Sequence, residues 1–492
     1  MSLFRKNKKK RVWPLFLLIF FVLLVGGGFL ILNWVKTLSP TDLLESNVVK
    51  NYISEHADQK EVELFSLLTE MIGGEEEVKN YLILFANNTE MRPGGGFLGS
   101  YAVVQVRGGN ITIVKVEGTE VIDKGTPDSW RPVPPAPLTE HLGVDRWYFR
   151  DSNWSPDFSE SSKKALELYK GEQGLLADNI DAVIAITTTV LEEVLKVVGP
   201  VTVQDIKFTH ENVIEKLEYE VEYGYYDRGI ADIDRKQIMK EISDALLTKI
   251  KDTILQNIDN YREMVQKLIV EKHVLAYSQN RILQENFKNL GLSGEMFTGE
   301  GDYLLWVDAN LAALKTDHAL NRTLNYSFTK NDDGEYVASA SMKYEHTGEF
   351  DWRTSRYRTY SRVFVPLGSE FVSVEGAMRT DRSNEPGTVD IGIDMDRQWF
   401  GTFIAIEPGK VGTLTFSYVL PDSITRLIEN GSYALFVQKQ LGLVESGLTL
   451  ELNFDTNIKS AYPGEEKVDW GDSLYHLSTD LRIDKEFEVN LR

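Results

Sequence analysis

The segment Val12–Val35, VWPLFLLIFFVLLVGGGFLILNWV, contains no charged residue. As a helix rising about 1.5 Å per residue it reaches ~36 Å, enough to cross a bilayer core with some tilt. Trp13 and Trp34 stand near its ends, where interfacial aromatics are expected, and FRKNKKKR directly before it places six positive charges within Arg5–Arg11. Basic residues stay on the cytoplasmic side. The reading is therefore a single-pass anchor in the cell membrane: residues 1–11 form a cytoplasmic tail, 12–35 the membrane helix, and everything after Lys36 lies outside the cytoplasm. A cleaved signal peptide would carry a shorter apolar stretch and a small-residue cleavage site, neither of which is seen.

The rest of the chain is long enough for two or three domains among its 492 residues, and 42% hydrophobic residues supply real cores. Net charge is −21 despite the basic tail, and no basic stripe follows it, which argues against a nucleic-acid partner. The absence of cysteine excludes disulfides and thiolate chemistry.

Residues 36–76 read as a helical stalk. Ser39-Pro40-Thr41-Asp42 resembles a helix start, and Leu43, Leu44, Val48, Val49, Tyr52 and Ile53 recur at helical spacing. Residues 77–319 alternate strand and helix. YLILF, YAVVQV, ITIVKV and AVIAI are strand-like, while Ser159–Lys170, the stretch after Thr187-Thr188, and Asp232–Lys251 are helical. Tyr303–Val307 reads as one more strand of this region. Over 320–492 the helical signal fades into strands such as LNYSF, YVASASMKY, RVFVPLG and GLTLELNF. The expected fold class is an α/β layered extracytoplasmic domain followed by an all-β sandwich, carried on one N-terminal transmembrane helix.

Three stretches could carry chemistry. In NNTEMRPGGGFLGSY, Asn87–Tyr101, Gly95 and Gly96 permit the positive φ of an anion nest, Arg92 offers a forked donor set, and Glu90 could hold a metal or accept a proton. A loop packed under a neighbouring element explains the same glycines. In RWYFRDSNWSPDF, Arg150, Asp151, Asn153 and Trp154 have the composition of a glycan-binding surface, or of a loop closed by aromatic packing. In YDRGIADIDRKQ, the aspartates suit a helix's first turn, but Arg228 and Arg235 gain nothing there and need an anion or a surface carboxylate. Asp308, Asn310, Lys315 and Asp317 suit either a pocket rim or a solvated loop. Walker A, dinucleotide, nucleophile-elbow and paired-histidine zinc signatures are missing.

Taken in order, YLILFANNTEMRPGGGFLGSYAVVQV, RDSNWSPDF, IDAVIAITTTVLEEVLKVVGPVTV, DRKQIMKEI and YLLWVDANLAALKTDHAL resemble the bacterial domain of unknown function 4012 over about Asn80–His318. The chain is also distantly similar to the LytR-CpsA-Psr phosphotransferases, which are anchored by one helix and move a glycan from a polyprenyl pyrophosphate to the cell wall with a divalent metal. That similarity rests on IDAVIAITTTVLEEVLKVVGPVTV and YGYYDRGIADIDRKQIMKEI. It implies that Arg228, Arg235 and the substitute Arg92 clamp phosphates with Gly95 and Gly96. It further implies that Asp234 and Glu90 are catalytic, with Asp234 holding a magnesium-like metal. The chain departs from those enzymes where Gly99-Ser100-Tyr101 and Glu117-Gly118-Thr119-Glu120 replace two arginine–aspartate signatures. The functional expectation is an envelope protein that binds a polyprenyl-phosphate-linked glycan or cell-wall polymer, with or without transfer. The alternative is a non-catalytic structural or adhesive surface protein acting through its sandwich.

Overall fold

The computed structural model describes residues 67, 70, 71 and 77–492, apart from 109, 232–234, 236, 254, 255 and 384. The expected membrane helix and nearly all of the expected stalk lie outside these residues. Among those described, no helix is long and apolar enough to cross a membrane. The chain forms an α/β region and β-rich sheets, divided into two compact units, neither of which is one continuous stretch. The first takes the chain through Phe85, Ser100–Gly118 and Leu175–Ser293. The second takes Ala86–Gly99, Thr119–Gly174 and Gly294–Arg492.

In the first unit a five-stranded sheet has the order β3-β2-β1-β4-β7. Its strands are β1 (Val78–Asn87), β2 (Phe97–Arg107), β3 (Asn110–Gly118), β4 (Ala182–Thr187) and β7 (Val274–Ser278). A small hairpin, β5 (Val201–Val203) with β6 (Ile206–Phe208), lies between β4 and β7 in the chain. Strand side chains alternate between faces, so Ala102, Val104 and Val106 of β2 join Ile184 and Ile186 of β4 and Val274 and Ala276 of β7 in one core. Helices cover it with residues one turn apart: Val190 and Val194, then Ile242, Leu246 and Ile250, then Leu283 and Phe287. Gly199, at φ +75°, ends the first of these helices.

The second unit is built on two β-sandwich-like sheets. Six strands run in the order β12-β15-β10-β9-β17-β19 and seven in the order β13-β14-β11-β8-β16-β20-β18. The ranges are β8 (Asp302–Asn310), β9 (Leu320–Lys330), β10 (Tyr336–His346), β11 (Tyr357–Pro366), β12 (Glu370–Glu375), β13 (Asp390–Asp394), β14 (Arg397–Ile406) and β15 (Val411–Val419). They continue with β16 (Ser432–Gln438), β17 (Gly447–Asn453), β18 (Ile458–Tyr462), β19 (Leu474–Asp480) and β20 (Lys485–Leu491). Leu304 and Trp306 of β8, Val363 and Val365 of β11 and Phe400 of β14 share a core with Leu324 and Tyr326 of β9 and Leu414 and Phe416 of β15.

The other face of the seven-stranded sheet is also covered. Tyr303, Leu305 and Val307 pack with Met296 and Phe364, and Ala309, Tyr360 and Phe403 pack with Leu138 and Trp154. This explains why every residue of β8 is buried. It also corrects the expectation for Tyr303–Val307: the strand pairs antiparallel with β11 and parallel with β16, not with the first sheet. A strand buried on both faces reads as an unbroken apolar run in either setting, so the sequence pattern alone could not choose between them.

Candidate functional site

The glycine loop, Ala86–Gly99, belongs to the second unit, and its backbone is spent on the chain itself. The N–H groups of Gly94, Gly95 and Phe97 donate to Asn153 O, Arg92 O and Glu90 O at 2.9, 3.0 and 2.8 Å. A Cβ on Gly94 would lie 2.8 Å from the Cβ of Asn153. A Cβ on Gly96, whose φ is +140°, would lie 2.6 Å from the carbonyl carbon of Asn87. Gly442, at φ +71°, sits against Gly95, where a Cβ would meet the Gly95 carbonyl oxygen at 2.1 Å. The glycines allow close backbone approach, and Gly95 and Gly96 show no converging cradle of free N–H groups.

Arg92 is 3% exposed. Its Nη1 donates to Asn310 O at 2.6 Å and Met91 O at 3.2 Å, Nη2 to Glu90 Oε1 at 3.2 Å, and Nε to Asp151 Oδ1 at 3.4 Å. These bonds occupy four of the five N–H donors of a guanidinium. Asn310 and Asp317 are buried too: Asp317 Oδ2 accepts from Met91 N at 3.0 Å and from Asn310 Nδ2 at 2.8 Å. Buried Arg322 bridges Asp317 to Asp308. Asp308, Asn310 and Asp317 thus form a polar interior and do not line an open rim.

From Asp151 the charge network continues outward. Its other oxygen lies 3.5 Å from Arg150 Nε, and Arg150 Nη1 lies 3.2 Å from Asp123 Oδ2. Asp123 in turn faces the carboxyl group of Glu172, each feeling the other, and Glu172 Oε1 accepts from Phe149 N at 2.8 Å. Charge alternates along Glu90, Arg92, Asp151, Arg150 and Asp123 and ends on two adjacent carboxyl groups, 4% and 3% exposed. Burial raises the Glu172 carboxyl to about 8, helped by the charge of Asp123. Burial also raises Asp123, against the pull of Arg150. The pair therefore shares a proton near neutral pH. Burial raises Glu90 as well, opposed by Arg92 and Lys315.

Arg150, its side chain 30% exposed, brings this network to the surface. It lies 4.7 Å from the ring centre of Tyr148, with Arg146 at 5.8 Å, and Lys164 lies 4.8 Å from the Trp147 ring. Trp147 Nε1 donates to Asp151 O at 2.8 Å. Asn153, by contrast, is buried and donates through Nδ2 to Gly96 O at 2.7 Å, and Trp154 is buried against Tyr360. Of the four residues expected to meet a glycan, only Arg150 offers substantial surface. Asp151, Asn153 and Trp154 hold the loop.

Arg228 and Arg235 lie in the first unit. Arg228, its side chain 28% exposed, pairs with Glu220 on the π-helical turn Glu220–Gly224. Arg235 is half-buried, and Asp234 lies outside the described residues. The three arginines expected to clamp a pyrophosphate are therefore distributed over both units, with Arg92 and Glu90 in the second.

Residues 76–222 match the family model described as Protein of unknown function (DUF4012). The DUF4012 match covers the glycine loop, the Arg146–Trp154 stretch and β4 with its following helix. No curated protein matches the sequence. Among solved structures, a protein described as nutrient-binding from Legionella pneumophila subsp. pneumophila str. Philadelphia 1 is 7% identical, with a TM-score of 0.23 over 39% of this chain and 71% of that one. An M1 zinc metallopeptidase from Deinococcus radiodurans is 9% identical, with a TM-score of 0.17 over 35% of this chain and 42% of that one. The chain thus spans less than half the length of that metallopeptidase, and scores this low do not establish a shared fold.

Sequence reasoning missed Asp123 and Glu172. Asp123 follows Thr119–Ile122 in a short helix, and Glu172 caps the end of the helix Phe158–Gly171. Neither position carries a motif. Each reads as a surface acid at the end of a helix, and only the fold brings the two together.

Proposed function

We propose that this chain is a membrane-anchored envelope protein that binds an anionic, polyprenyl-phosphate-linked glycan through the Arg146–Arg150 face of its second unit and does not transfer it. One observation carries the reading: the part-exposed Arg150 guanidinium lies over the half-buried Tyr148 ring, with the buried Arg146 guanidinium behind it, in a protein whose net charge is −21. A flat ring beside forked cationic donors suits a sugar face next to a phosphate. The neighbouring ammonium over Trp147 extends the same chemistry. Binding without transfer is favoured because Arg92, the group nearest to a catalytic phosphate clamp, is already committed to Glu90, Asp151 and two carbonyls. The anchor reading of Val12–Val35 keeps this face near lipid-linked substrates. The β-sandwich then serves as the rigid body that carries it.

The test uses the full chain in lipid nanodiscs, titrated with a polyprenyl pyrophosphate-linked disaccharide with and without magnesium. Wild type binds, Arg150→Gln weakens binding by about tenfold, as loss of a charge-assisted contact would, and Arg228→Ala binds as wild type. Equal affinity for wild type and Arg150→Gln removes this face from the reading. Release of free polyprenyl pyrophosphate during the titration establishes transfer instead.

A further inference from the structure

Arg362 lies on β11, on the face of the seven-stranded sheet that turns away from the shared core. It is 6% exposed. Its guanidinium carbon lies 5.2 Å from the ring centre of Trp154, 5.3 Å from that of Phe364 and 5.9 Å from that of Trp399. Its one hydrogen bond among the described residues runs from Nη2 to Trp154 O at 2.6 Å. Among the described residues no carboxylate forms an ion pair with it. Every other arginine this deeply buried in the second unit is held by carboxylates or by several carbonyls: Arg92 by Glu90 and Asp151, Arg322 by Asp308 and Asp317, Arg397 by the carbonyls of Phe297 and Gly299.

A buried cation without a directly paired carboxylate is costly, and here burial lowers the Arg362 pKa to about 10, against the pull of Tyr360 and Asp394. Three rings offset part of that cost through their faces. The remaining N–H donors meet no protein acceptor among the described residues, and they are not sealed from solvent. The surroundings specify a ligand. Trp399 is half-buried and lies flat on Gly392, where a Cβ would meet its ring at 2.6 Å. Asp394, also half-buried, stands on the neighbouring strand and is felt electrostatically by Arg362, as Glu160 is felt by Asp394.

We propose that the box formed by Arg362, Trp154, Phe364 and Trp399 is a binding site for the carboxylate of a uronic-acid sugar. The guanidinium edge pairs with the carboxylate, Trp399 packs on the sugar ring, and Asp394 accepts from ring hydroxyls. A bare inorganic anion would leave Trp399 unused and would face Asp394 without a hydroxyl to separate the charges. This site is separate from the Arg146–Arg150 face and stands or falls without it.

The experiment titrates the full chain in nanodiscs with a glucuronate hexasaccharide and with its carboxyl-reduced neutral counterpart, read by tryptophan fluorescence and calorimetry. Wild type binds the acidic oligomer and not the neutral one. Arg362→Met, which fills the box with an apolar side chain, keeps or raises the melting temperature and loses binding by at least about tenfold. Arg362→Lys, which keeps charge but not the fork, falls between the two. Arg228→Ala, which removes a part-exposed cation of the other unit, binds as wild type and controls for a general charge effect. A folded wild type that ignores the acidic oligomer, or a folded Arg362→Met that binds it as wild type does, overturns the proposal.

Discussion

Glu172 holds its proton because the fold places it beside Asp123 and away from water. An ordinary glutamate titrates near 4.5, whereas this one is raised to about 8, so between those values the folded chain keeps a proton that the unfolded chain has lost. Asp123 shifts in the same direction, and Arg150 and Asp151 complete the charges facing the pair. Stability from Glu172 is therefore full below about pH 4.5 and falls as pH rises through about 8, with a slope of at most about 1.4 kcal/mol per unit. The melting temperature should drop by on the order of 2–4 °C per kcal/mol lost between about pH 6 and 9. Glu172→Gln keeps an acceptor for Phe149 N and a neutral donor for Asp123, and should flatten that slope when both proteins are melted across the range. Little of this was legible in the chain. Arg92 stood out because glycines surround it, but whether its partners would be a ligand or Glu90, Asp151 and Asn310 depends in part on residues 59 and 218 positions away. Arg362 showed no local signal, since its box is assembled from three separate stretches.

Helices and strands were more readable, because each carries its own periodicity. The helix predicted over Ser159–Lys170 forms over Phe158–Gly171 with Asp157 as its N-cap, accepting from Glu160 N at 3.1 Å. The second carboxylate oxygen of Asp157 accepts from Met296 N at 2.8 Å, so one side chain fixes both this helix and the segment entering β8. Asp157→Ala should thus cost more than an ordinary cap, above about 2 kcal/mol, and a lower denaturant midpoint with an unchanged slope would show it. Asp157→Asn, which retains one acceptor, should lose less. The strand YLLWV was recognised as a strand but assigned to the wrong partners, because burial on both faces removes the alternation that would have marked a sandwich strand. Gly199-Pro200 and Gly108-Gly109-Asn110 were read from residue type alone; Gly199 ends its helix, and Arg107 pairs with Asn110 in the antiparallel β2–β3 register.

For the whole molecule, the sequence indicated an α/β region followed by β-rich sheets, but a linear boundary at residue 320 hides how the units are threaded. The second unit draws on Ala86–Gly99 and Thr119–Gly174 as well as on Gly294–Arg492, and β8 lies inside its seven-stranded sheet. A fragment of residues 320–492 lacks β8, so β11 and β16 lose their shared neighbour. Expressed alone, it should give broad, poorly dispersed amide signals and bind hydrophobic dye. Sharp native-like spectra would show that β8 and the earlier pieces are dispensable. The contact of Gly95 with Gly442 sets a schedule for biogenesis. At a ribosome adding roughly 5–20 residues per second, the first glycine emerges tens of seconds before the second. Through that interval the loop has no Gly442 to close on. Maturation of this unit must therefore wait until Gly442 has been made, and products of translation interrupted before it would expose that loop to proteolysis.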